Sequence, residues 1–335
     1  MLGFIGRRIL QAIPTLFLIS ALLFFGMQLV PGGPEQAFAF RAGMSEAARQ
    51  SVIHQWGLDQ PLYIQYLKWL QSMLTGNWQF SFFMHRSVRE VIFQRLPATL
   101  ILMITAYLIA QAIALPAGIV AALRRYSFFD QAVTFFSYVG YSMPTFWLGL
   151  MLLLLFAVFV PILPVGGIVN VRLSGAPFLT HDYNVWFLQN PITGLIDIAS
   201  HIVLPATTIA IVTIAGDSRF MRSSMLDAIH QDYVRTARAK GLSERVVVLK
   251  HALRNALLPV VTNIAIELPL LFSGAVVTEA IYSWPGMGQL FFQALEAFDY
   301  PLLLGILSVS AILIVLFNLF ADIAYAYIDP RISYA

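Results

Sequence analysis

Long apolar runs recur along this 335-residue chain and limit its fold more than any other feature. The first run, from Ile9 to Val30, is about 22 residues long, enough for a helix to cross a bilayer and too long for a signal-peptide core. Charged residues make up only 11% of the chain, whereas a soluble domain carries about 25%. We therefore predict an all-α polytopic membrane protein, one domain over 1–335, with six transmembrane helices at about 9–30, 97–123, 131–160, 205–222, 259–282 and 301–328.

The distribution of Lys and Arg predicts the orientation of these spans. With the N-terminus inside, thirteen of the 20 basic residues fall in the inner segments, and basic residues are enriched in cytoplasmic loops. Both termini are therefore predicted to be cytoplasmic. The external segments are 31–96 and 161–202, and the main cytoplasmic loop is 223–258.

Capping and periodicity signals predict short helices in the external segments. In the first segment these run from Ser45 to Gly57, from Pro61 to Leu74 and from Ser87 to Leu96. In the second, a short interfacial helix is predicted from Pro191 to Ile202. The first segment is interpreted either as a collar lying on the membrane surface or as a lid or docking surface for an external partner.

Prolines mark both the starts and the interiors of the predicted spans. Three spans are predicted to begin at a proline, where the missing N–H costs nothing: those at Pro97, Pro259 and Pro301. The fourth span starts near Pro205. Prolines inside spans are expected to kink or break the helix, and these are Pro116, Pro144 and Pro269.

The strongly basic segment from Asp232 to Pro259 reads DYVRTARAKGLSERVVVLKHALRNALLP and is predicted to be a docking element. A first helix, Tyr233 to Lys240, carries Thr236, Ala237 and Ala239, small residues that would let a partner approach closely. Gly241 can adopt the left-handed conformation that ends such a helix. Ser243 can cap the next short helix, with Glu244 in its positive first turn.

This segment resembles the cytoplasmic loop of ABC importer permeases, whose pattern is Glu-Ala-Ala, three residues, Gly, nine residues, then Ile-x-Leu-Pro. When the pattern is aligned on Gly241, its first three positions fall on Arg235, Thr236 and Ala237. The Glu and the first Ala of the pattern are therefore unmatched, and so is the Pro of its closing group. That departure resembles the dipeptide/oligopeptide/nickel permeases, above all the first permease of a dipeptide or oligopeptide system. Further similar segments follow in the same order: RRILQAIPTLFLIS, LVPGGP, RLPATL, SMPTFWLGL, EAIYSWPGMGQL and DPRISY.

The resemblance implies a permease subunit of an ATP-driven peptide importer in a bacterial or archaeal cell membrane, the inner membrane where there are two. Its implied partners are a second, homologous permease, two cytoplasmic ATP-binding subunits that hold ATP and Mg²⁺, and an extracytoplasmic substrate-binding protein. No cofactor is expected in this chain. The residues implied to couple it to the ATPase are Tyr233, Arg235, Thr236, Ala237, Lys240 and Gly241. Nickel, glutathione or another small solute is the alternative cargo.

The sequence lacks the motifs of a motor or a metal centre. None of its Lys residues follows a Gly, so a phosphate-binding loop cannot be assembled. The six His residues are scattered without metal-ligand spacing. We therefore predict a non-catalytic subunit. Two rival interpretations remain: a secondary transporter driven by an ion gradient, and a channel or membrane scaffold. A secondary transporter usually shows internal repeats, which we do not find here. An ATPase that co-purifies with the chain would favour the importer.

Four acidic residues lie in or at the edge of the predicted spans: Asp217, Glu267, Glu279 and Asp322. Charged side chains within a membrane usually face the bundle interior or water. Glu267 is eight residues past Pro259, roughly 12 Å along a helix. It is therefore the candidate pathway residue, and its alternative role is that of a buried structural partner.

Overall fold

The computed structural model describes residues 2–29 and 59–328, together with residues 50, 54 and 57; the side chains at positions 2–5, 265, 268–274 and 324–328 lie outside this description. The described residues form helices, turns and one isolated bridge between Phe80 and Ser87, which confirms the all-α class. The α-helices, numbered along the chain, are α1 (Leu2–Gln28), α2 (Leu62–Thr75), α3 (Val88–Leu123), α4 (Phe128–Ser142), α5 (Thr145–Leu153), α6 (Val171–Ser174), α7 (His181–Gln189), α8 (Pro191–Ile229), α9 (Asp232–Ala239), α10 (Glu244–Val246), α11 (Leu253–Ile281), α12 (Met287–Glu296) and α13 (Tyr300–Ile328). Two π-helical turns, Leu154–Phe159 and Val247–Ala252, extend α5 and join α10 to α11.

Some predicted features fall outside the described residues. They are the helix predicted from Ser45, the end of the first span at Val30, and most of the matched segments LVPGGP and DPRISY.

Four described helices are long and apolar enough to cross a membrane: Gly6–Gln28, Val88–Leu123, Pro191–Ile229 and Tyr300–Ile323. The pair Phe128–Ser142 and Thr145–Phe159 would make a fifth if it is one broken span. The predicted span 259–282 falls on α11, where several side chains lie outside the described residues. The chain is thus a multi-pass membrane protein by helix length and composition, and six spans remain a prediction.

Three predicted helix boundaries are wrong because longer helices run through them. Helix α3 begins at Val88 and contains Pro97, and α8 begins at Pro191 and contains Pro205. Helix α11 begins at Leu253, six residues before Pro259. An internal proline removes one backbone hydrogen bond, and neighbouring helices make this tolerable in membrane proteins. Pro301 does lie in a first turn, as predicted, since α13 begins at Tyr300.

Of the three prolines expected to kink or break a span, only Pro144 interrupts its helix. Helix α4 ends at Ser142 and α5 begins at Thr145, with a bend of 100° between the two segments. Helices α3 and α11 continue through Pro116 and Pro269.

The chain divides into two compact units, of which the first comprises Met1–Thr99 and Pro285–Leu319. In this unit, Tyr66 and Trp69 of α2 are buried with Phe24 of α1. The apolar periodicity of Pro61 to Leu74 predicts one face that holds Tyr66, Leu67 and Leu74, but both leucines are exposed, so the buried face is rotated towards Trp69. A single periodic pattern could not distinguish the two faces because aromatic and aliphatic residues lie on both.

The second unit comprises Leu100–Trp284 and Phe320–Ala335, and α8 packs at its centre against α4, α5 and α11. Close backbone approach requires a glycine at 118 in α3, because a Cβ there would lie 2.6 Å from the Ser218 carbonyl oxygen. Near the end of α11, the Tyr282 hydroxyl donates to the Gly149 carbonyl oxygen at 2.8 Å and lies 3.0 Å from the Thr208 hydroxyl. These contacts connect the broken pair α4–α5 to α8 and α11.

Candidate functional site

Helix α9 is a short, well-terminated helix between α8 and α10. It begins after Gln231, with Asp232 in the first turn, where a negative charge is favourable. It ends at Ala239, and Gly241 beyond it has φ +75°, the left-handed conformation predicted from the sequence. The Gly241 N–H donates to the Arg238 carbonyl oxygen at 2.9 Å, so the turn is closed by the backbone itself.

One face of α9 is buried within its own chain. Val234 and Ala237 are 0% and 4% exposed, and they belong to one apolar cluster with Met221, Met225 and Val247. Ala237, predicted to contact a partner, is therefore unavailable to one. The spacing of small residues did not reveal this, because the buried face is defined by Val234, three residues earlier, which the sequence argument had not used.

The opposite face of α9 is open. Three of the predicted coupling residues, Tyr233, Arg235 and Thr236, are exposed there, and Lys240 and Gly241 are exposed just beyond the helix end. Tyr233 offers a large ring that is 39% exposed. This surface, Tyr233 to Lys240 without Val234 and Ala237, is called the α9 outer face below; it combines an aromatic ring, positive charge and a short side chain, which suits binding of a protein surface.

An ion pair that the sequence analysis missed spans the turn after α9. Arg238 donates to Glu244 through two nitrogens, at 2.7 and 3.2 Å. The hydrogen bond from Arg238 lowers the pKa of the Glu244 carboxyl. The six-residue separation is not a helical pairing distance, so only the turn at Gly241 brings these residues together.

The segment 223–258, predicted to be a loop with a second short helix, is mostly helical at both ends. Residues up to Ile229 belong to α8, and those from Leu253 belong to α11. Ser243 occupies the N-cap position of α10 without a capping side-chain hydrogen bond. The second helix is not short, because α10, the π-turn and α11 follow one another without a break.

A polar cluster surrounds Glu267 inside the second unit. Asn263 donates to the Glu267 carboxyl at 2.9 Å and to the Asp217 carboxyl at 3.4 Å, so the two acids share one amide. Asp217 is 2% exposed and accepts from Gln111 of α3. Asp217 and Glu267 were not predicted to lie together, although both are acids in neighbouring predicted spans, and that was the available signal. Glu279, another of the four acids, is fully buried.

We predict that Glu267→Gln changes transport while leaving assembly intact. Glutamine keeps the shape of the side chain and an acceptor for Asn263, and it removes the charge. A lost charge-assisted contact of about 1.5 kcal/mol would change the rate of passage roughly tenfold. Cargo uptake and the amount of assembled complex are measured together, with Glu296→Gln, an exposed residue at the end of α12, as the matched control. A drop in assembled complex with normal uptake per complex would assign Glu267 a structural role instead.

Among the described residues, no group of three or more His, Asp or Glu side chains could hold a metal ion. Comparison with known proteins decides the family. Residues 114–334 match the model of the binding-protein-dependent transport system inner membrane component, and residues 1–103 match the N-terminal model of the same class. The chain belongs to this permease family.

Similar proteins cover the permease from end to end. It is 40% identical to the oligopeptide transport system permease protein AppB of Bacillus subtilis (strain 168), over 100% of both chains. It is 38% identical to the dipeptide transport system permease protein DppB of Escherichia coli (strain K12), over 100% of this chain and 99% of that one. It is 39% identical to the di/tripeptide transport system permease protein DppB of Pseudomonas aeruginosa (strain UCBPP-PA14), with the same coverage. The permease is therefore a non-catalytic membrane component of a transport system.

Proposed function

We propose that this chain is one of two homologous permease subunits of an ATP-driven importer that moves di- or oligopeptides across the bacterial inner membrane. Its similarity over the full length to relatives named for oligopeptides, dipeptides and di/tripeptides supports the cargo assignment. Two cytoplasmic subunits would hold ATP and Mg²⁺, and an extracytoplasmic binding protein would deliver the peptide.

The α9 outer face supports the proposed attachment to an ATPase subunit. Tyr233, Arg235, Thr236 and Lys240 are exposed on it, while Val234 and Ala237 are buried in the apolar cluster that includes Met221 and Met225 of α8. A force applied to the outer face is therefore delivered to a helix long enough to cross the membrane. In the same proposal Glu267, with Asp217 beside it, lies along the peptide pathway.

Reconstitution tests this function. The complex is purified through a tag on this permease and placed in vesicles with ATP inside and the binding protein and labelled tripeptide outside. We expect uptake that requires ATP and the ATPase subunits, and no hydrolysis by the permease alone. Uptake driven by an ion gradient without ATP would indicate a secondary transporter, and preferential uptake of Ni²⁺ or glutathione would refute the peptide assignment.

The proposed topology has six spans and both termini in the cytoplasm, supported by the inner excess of Lys and Arg. A reporter active only in the cytoplasm should give signal when fused after Ser243 or Ala335. It should give none after Gly76 or Gly175, in the segments assigned to the outside. Signal at Gly76 would contradict the six-span arrangement.

A further inference from the structure

A buried carboxylate joins the start of α4 to α8 through an ion pair. Arg222 donates to Asp130 through two nitrogens, Nε to Oδ1 at 2.5 Å and Nη2 to Oδ2 at 2.8 Å. The Asp130 side chain is 4% exposed, and it also accepts from the Tyr126 N–H at 2.9 Å. Two parallel hydrogen bonds between a guanidinium and a carboxylate fix orientation as well as distance. The carboxylate of Asp130 is thus held by α8 and by its own chain.

The same stretch of α8 holds α9. Met221 and Met225, on either side of Arg222 in the sequence, lie in the apolar cluster with Val234 and Ala237. The apolar cluster therefore joins α9 to the stretch of α8 between Met221 and Met225, and Arg222 in the same stretch pairs with Asp130 of α4.

Two further contacts fix α4 against α8 along its length. The hydroxyls of Ser137 and Ser218 lie 3.0 Å apart, both buried. Farther along, a Cβ added to Gly140 would lie 3.2 Å from the Ala215 Cβ, so the two backbones approach closely there. The ion pair, the serine pair and the glycine contact are spread over roughly 15 Å of α4, which ends two residues before the break at Pro144.

We propose that Asp130 and Arg222 are positioning residues that make α4, α8 and α9 move as one body, so that movement of α9 is carried to the break at Pro144. This inference rests on the proposed importer function. The burial of Asp130 supports a mechanical role, because removing one partner of a buried pair is strongly unfavourable. The exposed pair Arg86–Glu90, by contrast, is of a kind that contributes little.

A reversible cross-link tests the rigid connection directly. The chain contains no cysteine, so Ser137→Cys with Ser218→Cys introduces the only thiols. The two side chains are close enough for a disulfide after small adjustment. We expect oxidation to form the cross-link and to leave ATP-driven peptide uptake unchanged, because α4 and α8 already move together. Uptake that stops on oxidation and returns on reduction would overturn the proposal, as would failure of the cross-link to form.

Neutralising the pair tests its role in coupling. The double variant Asp130→Asn with Arg222→Gln keeps hydrogen-bonding side chains, including an acceptor for the Tyr126 N–H, and leaves no unpaired buried charge. We expect peptide transported per ATP hydrolysed to fall at least about fivefold, and the disulfide between positions 137 and 218, formed in the same background, to restore it. Glu90→Gln is the surface control. An unchanged ratio of transport to hydrolysis would refute the coupling role.

The two proposals fail differently. If the unmodified complex does not import peptide with ATP, the proposed function is wrong. If it does, the cross-link decides the further inference even where the neutral pair fails to assemble, because the cysteine variant retains both Asp130 and Arg222.

Discussion

Replacing Gly241 with valine should leave a permease that inserts normally but holds its ATPase weakly, or lets ATP hydrolysis proceed without transport. Gly241 has φ +75°, where an L-residue costs about 1–2 kcal/mol and a β-branched one more. An added Cβ would meet no atom within 4 Å. The effect therefore comes from the backbone alone, through misdirection of the turn that pairs Arg238 with Glu244. A loss of about 1.4 kcal/mol in docking free energy weakens binding tenfold, and we expect at least that loss.

Two matched variants accompany Gly241→Val. Gly241→Asn should lose much less, because asparagine tolerates the left-handed region better than valine does. Arg172→Ala, in the segment assigned to the outside, should leave ATPase retention unchanged. The measurements are ATPase bound per permease and peptide uptake per ATP. Normal values for Gly241→Val would show that α9 and its turn do not couple the ATPase to transport.

The second large effect distinguishes the two faces of α9. Ala237→Glu should reduce the amount of folded permease, because it places a larger, charged side chain in the buried cluster with Met221 and Met225. Such a burial costs several kcal/mol unless the charge is paired. Thr236→Glu, one residue earlier on the α9 outer face, introduces the same side chain in an exposed position. It should spare folding and weaken ATPase retention.

The readouts are the permease level in the membrane, its resistance to thermal unfolding, and the ATPase retained on purification. The assignment of faces requires a folding defect in Ala237→Glu and a docking defect in Thr236→Glu. A stable Ala237→Glu permease that releases only its ATPase would reverse the assignment and restore Ala237 as a partner contact.

Local signals in the sequence were sufficient to predict several features. The end of α9 near Lys240, the positive φ at Gly241 and the break at Pro144 each depend on a few neighbouring residues, and each is present. Helix starts at Pro97 and Pro259 were wrong because proline permits a first turn without requiring one. The residues that precede the proline determine where the helix starts, and here they are themselves helical.

Features that depend on tertiary structure could not be predicted from local signals. The pairing of Asp130 with Arg222 and the hydrogen bond from Asn263 to Asp217 join residues far apart in sequence. Similarly, the buried face of α9 follows from its packing in the apolar cluster with Val247 and Met221, since the helix is too short for periodicity to identify that face. Burial of Ala237 therefore appeared only in the structure.

Because α10, the π-turn and α11 follow one another without a loop, this segment should tolerate few insertions or deletions. Each residue of an α-helix turns the chain by about 100°, and no loop between Glu244 and Ile281 can absorb an added residue. One insertion in α11 before Glu267 would therefore swing that carboxyl away from Asp217 while leaving α9 in place. The π-turn Val247–Ala252 can still take up an added residue, because a helix accommodates one extra residue by forming a wider, π-helical turn. Natural gains and losses of residues in this segment should therefore concentrate at 247–252, and the remainder should keep its length.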